Sequence, residues 1–108
     1  MTSIIHLLFL GQLLLGIAFT PVARVQPRVH VIEIRQMKFN PATLTVGKGD
    51  TLVFINKDLV THNATEITGK SWKSPDLASG DSCRMAISRS AKYYCSLHPV
   101  MKGEIIVQ

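Results

Sequence analysis

From Val29 to Gln108 no stretch of this chain carries a 3.6-residue hydrophobic repeat; its apolar residues come in short runs, each closed by turn-forming residues. That pattern excludes a helical bundle and asks for strands. Val29–Arg35 is rich in Val and Ile, and Thr43–Val46 alternates polar and apolar before Gly47-Lys48-Gly49-Asp50, which reads as a tight turn. Thr51–Ile55 is a further apolar run, closed by Asn56-Lys57-Asp58. Ser71–Asp81, with its Ser, Pro, Asp and Gly, reads as a long loop. Arg84–Ser88 and Lys92–Cys95 are two more short runs, and Gly103–Gln108 ends the chain on β-branched residues. Seven or so short strands at these intervals predict an all-β antiparallel sandwich with little helix.

The N-terminus is of a different kind. The first 23 residues hold no Lys, Arg, Asp or Glu, and residues 7–19 (LLFLGQLLLGIAF) are almost wholly apolar. This run is short and interrupted for a membrane span, which needs about 20 apolar residues. Its length is that of a signal-peptide core, although the usual positive residues before it are missing. Residues 1–23 are therefore read as an export signal, cleaved after Ala18 or after Ala23, with an uncleaved anchor as the competing reading. Residues 24–108 form one domain. Removing the signal leaves about 85–90 residues, enough to fold alone but with a thin core. Small exported domains of this size usually need a disulfide, a metal or a partner to hold them. The net charge of +5 is spread along the chain without any Lys/Arg run, which excludes a nucleic-acid footprint and leaves a solvated surface with a mild preference for acidic partners.

Chemistry is concentrated in Tyr93-Tyr94-Cys95-Ser96-Leu97-His98-Pro99-Val100-Met101-Lys102-Gly103. A thiol, an imidazole and a thioether stand at three-residue intervals where a strand gives out, so a returning loop can aim all three at one point. Taken singly, a Cys, a His or a Met is more often structural, and Met101 alone would be core filling. At this spacing, in a β chain with an upstream His-Asn pair, packing does not account for them. Thiolate, imidazole and thioether are the mixed soft set that suits copper in both oxidation states, and two His with one Cys and a long axial Met is the blue-copper arrangement. The second imidazole required is supplied by His62. Zinc would accept Cys and two His, but a thioether is a poor zinc ligand.

On these residues the chain resembles a cupredoxin, closest to the amicyanin and plastocyanin-like group, over roughly Val29 to Gln108. Ile34-Arg35-Gln36-Met37-Lys38-Phe39-Asn40-Pro41 and Leu44-Thr45-Val46-Gly47-Lys48-Gly49-Asp50-Thr51 are similar to the family's opening segment. Phe54-Ile55-Asn56 resembles the strand leading to the first ligand, and His62-Asn63 resembles its His-Asn pair. The two-residue gap between His98 and Met101 resembles amicyanin. The resemblance implies a Greek-key β-sandwich of seven to eight strands holding one type 1 copper ion. It further implies His62, Cys95, His98 and Met101 as metal ligands, with Asn63 bracing the first ligand segment against the Cys95 loop and Pro99 stiffening that loop. It implies a monomeric one-electron carrier, not an enzyme, in the periplasm or another exported space. Redox donor and acceptor proteins would dock near His98, on a patch of Pro99 and Val100 with Leu59 or Val60. Nucleic acid and stable membrane insertion after processing are not expected.

The chain departs from the family at Thr61, where a Pro often precedes the first His, and at Arg89 and Ala91. Cys83 is the larger complication. A Cys83–Cys95 disulfide would consume the thiolate and leave a metal-free Ig-like domain; otherwise Cys83 is a small buried hydrophobe. Asn63-Ala64-Thr65 matches a glycosylation acceptor by form alone. His30 reads as a surface residue, and Trp72 is given no chemistry. A Cys95–His98 nucleophilic pair would leave Met101 unexplained, and copper tolerance or delivery is the alternative use of the same ligands.

Overall fold

The computed structural model describes residues 26–108, together with Gly11 and Gly16, so the expected export signal lies outside the described residues. Eight strands are arranged in two four-stranded sheets, with no helix among the described residues. β1 (Val29–Arg35), β2 (Lys38–Asn40), β4 (Thr51–Asn56) and β6 (Ser82–Ala86) form one sheet in the order β2-β1-β4-β6. β3 (Thr43–Val46), β5 (Thr65–Glu66), β7 (Ala91–Cys95) and β8 (His98–Val107) form the other in the order β3-β8-β7-β5. The period-2 alternation of the sequence does what it requires. Ile32 and Ile34 of β1, and Leu52, Phe54 and Asn56 of β4, are fully buried, and they alternate with less buried neighbours.

The strand pattern predicts an antiparallel sandwich; the structure corrects this. β1 pairs with β4 in parallel, and β3 pairs with β8 in parallel. The reason lies in Gly47-Lys48-Gly49-Asp50. The segment is a turn, with the Asp50 N–H donating to the Gly47 carbonyl at 3.0 Å and Gly49 at φ 86°. It joins strands of different sheets and is therefore a corner, not a hairpin. Asp50 holds that corner: its carboxylate accepts from the backbone N–H of Arg28 at 3.0 Å and of Gly47 at 2.8 Å, and meets His30 Nε2 at 2.8 Å. His30, expected at the surface, is thus largely enclosed. β2 and β5 are too short to register as hydrophobic runs, and β8 begins five residues earlier than the β-branched run at its end.

Between the sheets lies an aromatic cluster. Tyr93 of β7 is edge-on to Phe39 at 4.7 Å and to Phe54 at 5.5 Å, with Trp72 at 5.8 Å from Tyr93 and 6.5 Å from Phe54. Trp72 is therefore a core-capping residue of the long loop. Tyr93 also lies over Gly103, its cross-strand partner on β8. Cys83, on β6 opposite Phe54, is half-buried against the core, and burial pushes its thiol pKa up.

Two enclosed carboxylates make the fold acid-sensitive. Glu66, buried beside the 68–71 turn, accepts from the Thr68 hydroxyl and from the backbone N–H groups of Thr68, Gly69 and Ser71. The Thr68 hydroxyl is the largest influence, and these donors hold its pKa at about 2 against an ordinary 4.5. Asp50 is likewise held at about 2 against 3.8, chiefly by the Arg28 N–H and then by His30. A folded-state pKa below the unfolded one contributes stability above the unfolded value and loses it as pH falls through the folded value. The thermal midpoint should therefore hold down to about pH 4.5 and drop between there and about 2. Glu66→Gln should lower the midpoint at neutral pH and flatten the acid decline; calorimetry across this range checks both.

Candidate metal centre

β7 and β8 are joined by the two-residue turn Ser96-Leu97, and Cys95 pairs with His98 directly across it. One step back along β7, Tyr94 pairs with Lys102, so the register slips between Tyr94 and Cys95. Pro99, Val100 and Met101 are the three residues accommodated by that slip. Such a bulge frees side chains from strict strand alternation, which would otherwise send residues three apart to opposite faces. Cys95 is fully buried, His98 half-buried and Met101 only 2% exposed. Pro99 and Val100 stand out in solvent.

His62 comes from the segment after β4. Asn56, the fully buried last residue of β4, fastens that segment by donating from Nδ2 to the carbonyls of Val60 and Leu77, both at 2.8 Å. His62 and Leu77 then exchange two backbone hydrogen bonds, of 3.1 and 2.7 Å. The His62 ring is fully buried, with Nδ1 3.8 Å from Cys95 Sγ, and His98 Nδ1 lies 3.7 Å from the same sulfur. The three donor atoms all fall within 4.8 Å of one another.

These separations fit a metal. Bonds of roughly 2.3 Å to sulfur and 2.0–2.1 Å to imidazole nitrogen, opened to about 120°, put sulfur and nitrogen about 3.8 Å apart. The observed 3.7 and 3.8 Å are those of a trigonal two-His, one-Cys centre. One thiolate with two imidazoles in that shape is a set suited to copper. Among the described residues, cavities of about 250 to 380 Å³ open without His62, Cys95 or His98 in their lining, and one of them is bordered by Met37, Val100 and Met101.

The surrounding hydrogen bonds hold these donors still. The Asn63 N–H donates to Cys95 Sγ at 3.4 Å. The Asn63 side chain and Ser96 bond reciprocally: Ser96 N–H donates to Asn63 Oδ1 at 2.9 Å, and Asn63 Nδ2 donates to Ser96 Oγ at 2.8 Å. Asn63 Nδ2 also reaches Asp76 Oδ1 at 3.0 Å, and Thr65 Oγ1 donates to Asn63 Oδ1 at 3.0 Å. Fully buried and bonded in this way, Asn63 offers no amide to a glycosylating enzyme.

Of the residues singled out in the sequence, His62, Cys95 and His98 are brought together, Asn63 links their two segments, and Met101 is buried three residues on from His98. Both cysteines are free, so the Cys83–Cys95 bridge and the disulfide-bonded Ig-like domain built on it are set aside. Asp58, Ser96 and Asp76 were not anticipated. Asp58 lies four residues before His62 and its carboxylate meets His62 Nε2 at 2.8 Å. Burial pushes the Asp58 carboxyl up, but the N–H groups of Met37, His62 and Gln36 outweigh this and hold its pKa below the ordinary value. Nothing in a lone Asp of a turn-forming triplet signals that role.

Residues 28–108 match the family model described as copper binding proteins, plastocyanin/azurin family. Amicyanin of Paracoccus denitrificans is 27% identical over 92 residues, covering 80% of this chain and 70% of the relative. Amicyanin of Paracoccus versutus is 26% identical over 84 residues, covering 72% and 64%. The reduced form of an amicyanin variant superposes with a TM-score of 0.70 at 27% identity, covering 80% of this chain and 88% of that one. A Cu-containing nitrite reductase from Thermus scotoductus gives 0.68 at 27% identity, but only 22% of its chain is covered.

Proposed function

Because the chain belongs to the plastocyanin/azurin family of copper binding proteins, we propose that it is a type 1 (blue) copper protein that carries single electrons between redox partners. The observation that carries this reading is the convergence of His62, Cys95 and His98 at trigonal separations in a largely buried position. His62, Cys95, His98 and Met101 would hold the copper, with Asn63 and Pro99 in support. Bound copper supplies a one-electron couple. The protein supplies rigidity. Asn56 fastens the His62 segment, and Asn63 and Ser96 tie it to the Cys95 loop, so the donors would keep one geometry in either oxidation state of the copper and little reorganisation would oppose transfer.

His98 is the half-buried member of the cluster and therefore the exit for the electron. On the loop that carries it, Val100 is 88% and Leu97 47% exposed, and on the segment leading to His62, Leu59 is 94% and Val60 47% exposed. Apolar side chains left in solvent next to a buried redox centre are suited to brief docking by donor and acceptor proteins. We read the protein as a monomeric carrier and not an enzyme, a reading supported by its likeness to the amicyanins over most of their length. The uncharged, apolar N-terminal segment supports export to the periplasm or an equivalent space.

Copper handling uses the same ligands, and redox cycling separates the two uses. The copper-loaded protein should take up one electron per copper reversibly and pass repeatedly between a small reductant and oxidant with its metal retained. Loss of copper on reduction would favour delivery over electron transfer.

A further inference from the structure

The turn between β1 and β2 has an unusual composition. Its two central residues, Gln36 and Met37, have φ of 52° and 58°, and the pair Arg35↔Lys38 closes it. Both residues sit in the left-handed region, the geometry of a two-residue hairpin turn that favours Asn-Gly and that other side chains rarely adopt. What holds the turn comes from outside it. Asp58 Oδ1 accepts from the Gln36 N–H at 2.6 Å, and Oδ2 accepts from the Met37 N–H at 3.0 Å. The same Oδ2 meets His62 Nε2 at 2.8 Å, while the Asp58 N–H is fixed to Asn56 Oδ1 at 2.9 Å. One carboxylate thus joins a strained turn to the most deeply buried imidazole of the metal centre.

An ionised carboxylate only accepts hydrogen bonds, so the ring nitrogen facing it must carry the hydrogen. The hydrogen on Nε2 leaves Nδ1, 3.8 Å from Cys95 Sγ, as the nitrogen that would meet a metal. We propose that Asp58 is a positioning residue for the copper centre: it fixes the His62 tautomer and orientation, and its negative charge, passed through the ring, favours Cu(II) over Cu(I). Carboxylate–histidine–metal relays of this form raise the basicity of the imidazole. The turn at Gln36 and Met37 supplies the two N–H groups that hold the carboxylate against the ring, so these exposed residues reach the metal through one atom group.

The potential half of this proposal rests on the copper reading above, while the tautomer half does not. Asp58→Asn keeps the size of the side chain and removes the charge. Its fold is protected by placing it in a chain carrying Gln36→Asn and Met37→Gly, a turn that stands without outside support. In the folded, copper-loaded protein the ratio of Cu(II) to Cu(I) affinity should fall about tenfold, the lower end for loss of such a partner. For a one-electron couple that is a rise of about 59 mV in reduction potential. A carboxylate with only a structural role would leave the potential of this variant where the Asp58 protein with the same turn has it, and that result overturns the charge assignment. In metal-free protein, nitrogen NMR of the His62 ring should report the Nε2–H form, and Asp58→Ala should mix the two tautomers. An Nδ1–H ring in the protein with Asp58 intact overturns the positioning role. A protein that binds no copper removes the potential half together with the reading beneath it, and the NMR result then decides the tautomer half alone.

Discussion

Replacing Cys95 with Ser should abolish the visible absorption of the copper-loaded protein while leaving the domain folded. The sulfur is buried against three groups: His62 Nδ1 at 3.8 Å, His98 Nδ1 at 3.7 Å and the Asn63 N–H at 3.4 Å. A serine oxygen is slightly smaller and can still accept from Asn63, so the fold loses little, about 1 kcal/mol at most. The metal loses far more. A hydroxyl does not ionise in this range as a thiol does beside a metal, so the covalent thiolate bond behind the colour cannot form. Copper affinity should fall by at least about 100-fold, the upper end of what the loss of a mere supporting partner costs. Circular dichroism, thermal unfolding of the metal-free variant and an absorption spectrum after copper addition check the three parts. A variant that stays blue would move the thiolate to Cys83 and undo the ligand assignment.

Gly103→Ala should be the most damaging single-methyl addition in the domain. A Cβ at this position would stand 2.2 Å from Tyr93 Cζ, 2.3 Å from its hydroxyl oxygen and 2.7 Å from Cε1. Contacts this short cannot be absorbed by a rotation of the ring's far end, because Tyr93 is packed against Phe39, Phe54 and Trp72. Either the aromatic cluster shifts or the β7–β8 pairing opens, and that pairing also carries Cys95 and His98. Overpacking of a filled core costs typically 1–3 kcal/mol and sometimes more; the upper end, about 3 kcal/mol, is expected here. For a domain of this size that is a fall of roughly 12–24 °C in thermal midpoint. Tyr93→Phe added to Gly103→Ala should restore only a part, since it removes the hydroxyl contact and leaves those with the ring carbons. The hydroxyl itself has no hydrogen-bond partner among the described residues, so Tyr93→Phe alone should be nearly neutral.

The strands most legible in the sequence were those with a buried face to alternate against. Val29–Arg35 and Thr43–Val46 coincide with β1 and β3 because Ile32, Ile34 and Val46 repeat at period two. Strand neighbours were not legible. Alternation says which side chains point inward, but not which strand lies alongside, and the parallel pairs β1–β4 and β3–β8 follow from a corner at Asp50 whose bonds reach back to Arg28 and His30. At the metal centre the situation is the same. Cys95, His98 and Met101 announce themselves by local spacing, since one hairpin turn and its bulge carry all three. His62 is 33 positions from Cys95 and needed the family resemblance. Asp58, Ser96 and Asp76 carry no pattern at all; their roles come from where two separate loops meet, which is tertiary information.

A Cu(II) titration of the purified, metal-free protein, followed by its visible spectrum, tests the copper centre most directly. An intense thiolate-to-copper band should grow linearly and stop at one copper per chain, and the denatured metal-free protein should show two free thiols. A protein that remains colourless with Cu(II), or whose denatured chain shows no thiol, would contradict the copper reading.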